Sequence, residues 1–214
     1  MAEPVMLLRV GSTALLSYAI GSIPTAYLLV KRLKGLDVRT IGSGNVGATN
    51  VARAAGRWAG AVVFLCDAAK GWMAVSLVAP WMLPEATMAQ RLSCGLLAVV
   101  GHDAPVWLRF QGGKGVATTI GVLTGTTPQL AAVYVGTWLA VVLGCRYVSM
   151  GSMVAAATIP LTQWWLHRSP AEILCGAMLA LLIIVKHHGN VIRLAQGREP
   201  PISRRPAKQK SSCS

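Results

Sequence analysis

Three polar, glycine-rich segments carry the residues that could do chemistry in an otherwise apolar chain. They are GSGNVGATN at 42–50 followed by Arg53, QGGKG at 111–115, and KHHGN at 186–190 followed by Arg193. Glycine lets backbone N–H groups approach a ligand closely, and N–H groups at a helix N-terminus with a cation nearby bind anions. The segments therefore predict sites for an anionic group such as phosphate.

The first segment combines a flexible turn with a helix start. Thr49 or Asn50 can cap the second predicted helix, which would place Arg53 in its first turn. The alternative interpretation is an Asn/Gly turn that only caps a helix. The candidate ligand-binding residues here are Ser43, Gly44, Asn45, Thr49 and Arg53.

The other two segments place single charged or titratable side chains near helix ends. Gly112 and Gly113 precede Lys114 at the start of a predicted helix; the phosphate-binding pattern GxxxxGK[ST] is absent, so no nucleotide site is predicted. The alternative is a membrane-edge loop with one lysine extended toward the headgroups. His187 could act as a base, an orienting group or a donor to phosphate, with Asn190 nearby. The alternative there is a helix C-terminus enriched in cations.

Further ionisable residues fall inside predicted helices. Asp67 and Lys70 would each cost roughly 3 kcal/mol if they faced lipid, and their i,i+3 spacing predicts a structural pair facing the bundle. His102 and Asp103, before Pro105, could line a site, but the favoured interpretation is that they order the following loop.

The composition identifies the elements that must hold these segments. The chain has 214 residues, of which 54% are hydrophobic and 13% charged, and its mean hydropathy is +0.54. A soluble domain carries about 25% charged residues, so an ordinary soluble domain and intrinsic disorder are both excluded. The formal charge of +13 is attributed mainly to the excess of cations in cytoplasmic loops rather than to nucleic-acid binding.

Hydropathy predicts seven spans of about 20 residues or somewhat fewer. An apolar stretch at 116–143 is divided by Thr127-Pro128 into two short spans, because Gly and Pro together interrupt helices. Sixteen of the 20 Lys and Arg residues then fall on the cytoplasmic side and three on the outer side, which predicts an external N-terminus and a cytoplasmic C-terminus. The predicted spans are roughly 5–30, 58–81 and 91–108, then the two short spans within 116–143, and finally 150–166 and 171–186.

The predicted fold is therefore all-α: a polytopic integral membrane protein with seven transmembrane helices. A single transmembrane domain is expected over 1–198, with a basic, flexible tail over 199–214. The five cysteines form no CxxC pair, so neither a disulfide framework nor a metal site is predicted. Even numbers of spans separate the three polar segments, which places all three at the cytoplasmic face. That arrangement suits a substrate with a phosphate end and a fatty end, or two phosphorylated substrates.

Four longer blocks resemble one known family. GSIPTAYLL at 21–29, GSGNVGATNVAR at 42–53, GHDAPVWLRFQGGKGVAT at 101–118 and KHHGNVIRLAQGRE at 186–199 are similar, in this order, to the bacterial acyl-phosphate:glycerol-3-phosphate acyltransferases (PlsY type). The blocks cover roughly a quarter to a third of the chain. The resemblance implies transfer of a fatty acyl group from acyl phosphate to the 1-hydroxyl of glycerol 3-phosphate, in the first acylation of phospholipid synthesis. It implies an enzyme of the bacterial inner membrane with its active site on the cytoplasmic face, and neither a cofactor nor a metal.

The resemblance also implies roles for residues at the matching positions. Ser43, Gly112, Gly113 and Lys114 would hold the phosphate of the acyl phosphate and stabilise it as it leaves. Thr49, Arg53 and Asn190 would help to place glycerol 3-phosphate, and His187 would orient or polarise the reacting groups. Arg193 and Glu199 are interpreted as a structural pair. Ser43, Lys114 and His187 are the predicted catalytic residues.

Two other functions compete with acyl transfer. A small transporter or channel for phosphorylated metabolites would also bind anions at helix ends, although its site would lie near the membrane midplane. A scaffold whose basic tail binds anionic lipid is a third possibility, but it leaves the three polar segments unexplained. The acyl-CoA-type signature H-x4-D is absent after His102, His187 and His188; His167 has Glu172 at that spacing, on the predicted outer face.

Overall fold

Helices form nearly all of the regular structure in the computed structural model, which describes residues 2–202; no strand occurs in that range. A π-helical turn, Ala74–Val78, joins α4 to α5, and 3-10 turns occur at Val38–Thr40 and Val106–Leu108. The all-α prediction is confirmed for these residues. The α-helices are α1 Ala2–Gly21, α2 Thr25–Lys34, α3 Ala48–Ala55, α4 Arg57–Met73, α5 Ala79–Met82, α6 Met88–Asp103, α7 Val116–Thr126, α8 Pro128–Cys145, α9 Val148–Trp165, α10 Pro170–Lys186 and α11 His188–Ala195.

Three helical stretches in the described part of the chain are long and apolar enough to cross a membrane: Glu3–Lys34, Arg57–Met82 and Pro128–Cys145. Helices α10 and α11, bent by 54° at His187, would make a fourth if they form one broken span. Helix α7 is apolar but has only 11 residues. The count of seven spans and their orientation stay predictions.

The interruptions predicted from Gly and Pro are present. The first predicted span divides into α1 and α2 around Ser22–Pro24, and the 116–143 stretch divides between Thr126 and Pro128. Proline lacks an N–H and restricts the residue before it, so it begins a helix more readily than it continues one.

The predicted capping of the second span is wrong. Gly47 is the N-cap of a separate short helix, α3, in which Asn50 is the third residue. Gly56, with φ of 95°, separates α3 from α4. Arg53 therefore lies in the last turn of α3 rather than in the first turn of a spanning helix.

Small residues let the helices that carry the site approach each other closely. A Cβ added to Gly21 of α1 would lie 2.1 Å from the Ala98 carbonyl oxygen of α6, and one added to Gly121 of α7 would lie 1.8 Å from the Ala68 oxygen of α4. Close backbone contact at small residues is the usual way in which membrane helices pack. The α1–α6 and α4–α7 pairs thus have fixed spacing beneath the polar loops.

A second, smaller core anchors the first polar segment. Val38, Val46 and Val51 pack with Val30 of α2 and Val63 of α4. The larger core joins α6 to α10 around the fully buried Tyr134. The 42–50 turn is therefore attached to the bundle by its own apolar side chains.

Packing continues past residue 198, where the domain was predicted to end. Glu199 is buried, and the Ile202 amide donates to the Arg146 carbonyl over 2.8 Å. The flexible tail stays a prediction, since residues 203–214 lie outside the described part of the chain.

Candidate functional site

The three polar segments line one cavity of about 910 Å³. Seven of the ten predicted site residues face it, and Gly44, Gly112 and Gly113 do not. The seven are Ser43, Asn45, Thr49, Arg53, Lys114, His187 and Asn190.

The first wall of the cavity is a turn organised by Asn50. Its buried side chain donates to the carbonyls of Ile41 and Asn45, each over 2.9 Å, and accepts from the Ser43 amide over 3.0 Å. This leaves the Ser43 and Thr49 side chains exposed toward the cavity. The Ser43 amide is already paired, so what this residue offers a ligand is its hydroxyl. The sequence did not single out Asn50 as the organiser of the turn.

The glycines of the second wall pack against the end of α6, and their predicted role in holding phosphate stays a prediction. The Gly113 amide donates to the His102 carbonyl over 3.0 Å. A Cβ on Gly112 would lie 2.2 Å from the same oxygen. The Gly113 amide is therefore paired with the end of α6, and Lys114 is the residue of this pair's loop that lines the cavity.

The third wall is a hydrogen-bond network centred on Glu199. Asn190 Nδ2 and Ser149 Oγ each donate to Glu199 Oε1 over 2.6 Å, and Arg193 Nε donates to Oε2 over 2.8 Å. The network reaches the second segment, because Lys114 Nζ donates to Asn190 Oδ1. The predicted Arg193–Glu199 pair is confirmed, and it is part of the cavity wall.

Two pKa values follow from this network. Burial raises the pKa of Glu199, but hydrogen bonds from Ser149, Asn190 and Arg193 outweigh it and hold the pKa below its usual range. Burial, with the charge of Arg193, lowers the pKa of Lys114 to about 8. At neutral pH the cavity therefore holds a carboxylate and a protonated lysine.

His187 has a defined orientation. Its ring is buried, with 3% of the residue exposed, and Nδ1 lies 2.8 Å from the Ile183 carbonyl oxygen. A carbonyl only accepts, so Nδ1 carries the hydrogen and Nε2 is the acceptor of the neutral ring. An acceptor nitrogen in the cavity wall can take a proton from a hydroxyl group.

The remainder of the cavity is apolar. Val116 and Ile120 of α7 face Val135 and Leu139 of α8, with Phe64 of α4 alongside. Trp138, which donates to Ser152 Oγ over 3.3 Å, adds a rigid aromatic surface. One cavity thus has a cationic polar end and a hydrocarbon-compatible end.

Buried charges lie behind the polar end. Asp67 and Lys70 form the predicted pair at 2.9 Å, and Thr25 Oγ1 donates to the same Asp67 oxygen over 2.6 Å. Asp67 and His102 both reach the cavity wall. Arg53 and Lys114 make no ion pair with a carboxylate of residues 2–202, so two cations remain for anionic ligands.

Ser149 and the central role of Glu199 were missed from the sequence. Ser149 is the second residue of α9 and comes just after Arg146-Tyr147, which the predicted topology already placed on the cytoplasmic side. That topology was the signal that could have identified Ser149. Glu199 lies in the last matching sequence block, but only the fold shows three donors meeting at its carboxylate.

Comparison with known proteins gives a consistent picture. The model of the glycerol-3-phosphate acyltransferase family matches residues 12–197. A glycerol-3-phosphate acyltransferase of Myxococcus xanthus is 47% identical over 185 residues, covering 86% of this chain and 95% of its own. That of Albidiferax ferrireducens is 41% identical over 213 residues, covering 94% of this chain and 92% of its own.

Solved structures agree with the sequence comparison. The crystal structure of PlsY (YgiH), an integral membrane glycerol 3-phosphate acyltransferase, in its glycerol 3-phosphate form, has a TM-score of 0.84 and 36% identity. It covers 91% of this chain and 96% of the other. The lysophosphatidic acid form of PlsY has a TM-score of 0.82 and 35% identity, and the match covers 91% of this chain and 95% of the other.

Proposed function

Because the chain belongs to the glycerol-3-phosphate acyltransferase family, we propose that it transfers a fatty acyl group from acyl phosphate to the sn-1 hydroxyl of glycerol 3-phosphate. The products are 1-acylglycerol 3-phosphate and inorganic phosphate, and the step is the first acylation of bacterial phospholipid synthesis. The observation that carries the proposal is the single cavity with a cationic end and an apolar end. Acyl phosphate has this same division between a phosphate and a hydrocarbon chain.

The chain is a membrane protein, like its integral membrane relatives. We extend this to seven spans in the bacterial inner membrane, with the N-terminus outside and the cavity on the cytoplasmic face. The distribution of Lys and Arg supports the orientation. The cavity then opens to soluble glycerol 3-phosphate at its polar end and receives the acyl chain at its apolar end.

The two cations without carboxylate partners divide the two phosphates between them. Lys114 binds the phosphate of the donor, and Ser43 adds a hydroxyl donor to it. Arg53 and Thr49, which neighbour each other on α3, hold the phosphate of glycerol 3-phosphate, with Asn190 assisting. Charge on the departing phosphate grows as the acyl–oxygen bond breaks, so a fixed ammonium group beside it stabilises the transition state more than the ground state.

The reaction needs no covalent enzyme intermediate. The sn-1 oxygen attacks the acyl carbonyl, the bond from that carbonyl to the phosphate oxygen breaks, and phosphate leaves. The hydroxyl proton passes either to Nε2 of His187 or to the departing phosphate. In either case the mixed anhydride is already activated, which removes any requirement for ATP.

Phosphate release by the purified protein in lipid or detergent tests the proposal. We expect release from palmitoyl phosphate only when glycerol 3-phosphate is present, with lysophosphatidic acid formed in equal amount. Palmitoyl-CoA, run in parallel, should give no product. Turnover with palmitoyl-CoA, or none with palmitoyl phosphate from a folded sample, contradicts the donor assignment.

Substitution of Arg53 tests the acceptor site. Arg53→Gln is expected to raise KM for glycerol 3-phosphate about tenfold or more, because a charged hydrogen bond to phosphate is worth about 1.5–3 kcal/mol, and to leave KM for palmitoyl phosphate unchanged. Arg57→Gln, an exposed neighbour outside the cavity lining, is the matched control. Equal effects of the two substitutions would assign the loss to general surface charge.

A further inference from the structure

The end of α6 lies directly beneath the loop that carries Lys114. The His102 ring, 7% exposed, fills the space next to Gly113 so closely that a Cβ there would lie 1.9 Å from His102 Nε2. The His102 carbonyl also accepts the Gly113 amide. One residue therefore contacts the loop through both its backbone and its ring, immediately before Lys114.

The ring is held on its other side by the buried charge pair. His102 Nδ1 lies 3.6 Å from Asp67 Oδ1, the oxygen that also accepts from Thr25 Oγ1 and Lys70 Nζ. Lys70 Nζ in turn donates to the Ile23 carbonyl over 3.2 Å. The break between α1 and α2 supplies both Thr25 and the Ile23 carbonyl, so it is connected through Asp67 to the His102 ring.

The same end of α6 contacts the third polar segment. Lys186, which directly precedes His187 in the chain, donates from Nζ to the Asp103 carbonyl over 2.5 Å. The end of α6 thus sets the distance between the lysine loop and the end of α10. Lys114 and Asn190, which contact each other across this gap, depend on that distance.

We propose that His102 is a positioning residue for Lys114: held by Asp67, its ring supports Gly113 from below and fixes the ammonium group where the phosphate leaves. This rests on the proposed function for the role of Lys114. His102 acts on the reaction through Lys114. A displacement of about 1 Å at a catalytic group can cost about a hundredfold in rate, so loss of the ring is expected to matter without any change in the charged residues.

A size-exchange cycle between the two contacting residues tests the proposal. His102→Ala leaves space beneath the loop, and Gly113→Ala drives a methyl group into the ring, so each alone should lower kcat about a hundredfold. In the double variant the methyl group occupies space that the ring has left. It should be more active than either single variant, whereas independent effects would multiply to about ten-thousandfold. Multiplied losses overturn the proposal.

The matched control is Gly136→Ala on α8, where an added Cβ meets no atom within 4 Å. It should leave kcat unchanged. If His102→Ala does not fold, His102→Gln keeps a planar group over Gly113 and should give a smaller loss of kcat. A loss of about a hundredfold in a folded His102→Gln, as large as that expected without any ring, overturns the proposal.

A second readout does not depend on catalysis. Amine-specific labelling of Lys114, followed by peptide mapping across pH, should give a midpoint near 8 in the wild type. In His102→Ala it should move toward 10.5, the ordinary lysine value, because the loop is released toward solvent. An unmoved midpoint contradicts the positioning role. A wild type that labels as expected but does not turn over palmitoyl phosphate contradicts the proposed function instead.

Discussion

The charge of Lys114 should set an alkaline limit to activity that is far below the normal lysine range. With a pKa of about 8, roughly ten lysines are protonated for each neutral one at pH 7, and the ratio reverses at pH 9. If only the protonated form stabilises the leaving phosphate, kcat/KM should fall about tenfold between those two values. Phosphate release from palmitoyl phosphate, corrected for hydrolysis without enzyme, measures this profile.

Neighbouring charges allow the assignment to be checked. Arg193 lowers the pKa of Lys114 and Glu199 raises it. Arg193→Gln should therefore move the alkaline limb to higher pH and Glu199→Gln to lower pH. Lys114→Arg keeps its positive charge throughout this pH range. Its kcat/KM should therefore not change between pH 7 and pH 9, although its kcat should be lower than that of the wild type.

The titration of Lys114 does not itself destabilise the folded protein over this range. The unfolded chain, with an ordinary lysine pKa of 10.5, binds more protons at this site than the folded one between about pH 8 and 10.5. This titration therefore increases the free energy of unfolding as pH rises. A wild-type profile that stays flat to pH 10, or the same limb in Lys114→Arg, would refute the role of Lys114.

Three more substitutions follow from the geometry. Glu199→Gln replaces the carboxylate that accepts from three donors with a neutral amide. Hydrogen bonds to charged groups are worth about 1.5–3 kcal/mol each, so kcat/KM should fall at least tenfold. A wild-type kcat/KM would contradict the central role of Glu199. Ile120→Trp fills the apolar part of the cavity and should raise KM for palmitoyl phosphate but not for glycerol 3-phosphate; equal increases in both would count against an acyl site there. Gly121→Ala overpacks the α4–α7 contact at a cost of about 1–3 kcal/mol, which a lower thermal midpoint in detergent should show, and Gly136→Ala is the unaffected comparison.

Hydropathy and the distribution of charge were sufficient to predict an all-α membrane fold, because lipid allows few backbone structures to cross it. Spans must be helical, and Pro128 could only begin a new helix or kink an existing one. The convergence of the three polar segments followed from counting spans, and it agrees with the cavity lining. The buried Asp67–Lys70 pair was predictable for the same reason, since neither charge could face lipid.

Local geometry was not predictable in the same way. Asn50 was predicted as a possible helix cap, but its side-chain amide donates to the carbonyls of Ile41 and Asn45, contacts that need the folded loop. Gly112 and Gly113 were predicted to bind phosphate through their amides, and the fold adds a second reason for glycine at both positions, because a side chain there would clash with the end of α6. A glycine that approaches a ligand and one that approaches a buried ring have the same signature in a sequence.

The position of Glu199 has a consequence for the timing of synthesis. The residues of the cavity wall begin at Gly42, while the carboxylate that joins Ser149, Asn190 and Arg193 comes near the end of the described chain. At 5–20 residues per second, the interval between the two is about 8–30 s. During that interval every helix from α3 to α11 emerges from the ribosome while the network still has no acceptor. The hydrogen-bond network of the third wall therefore forms only after every helix from α3 to α11 has been synthesised.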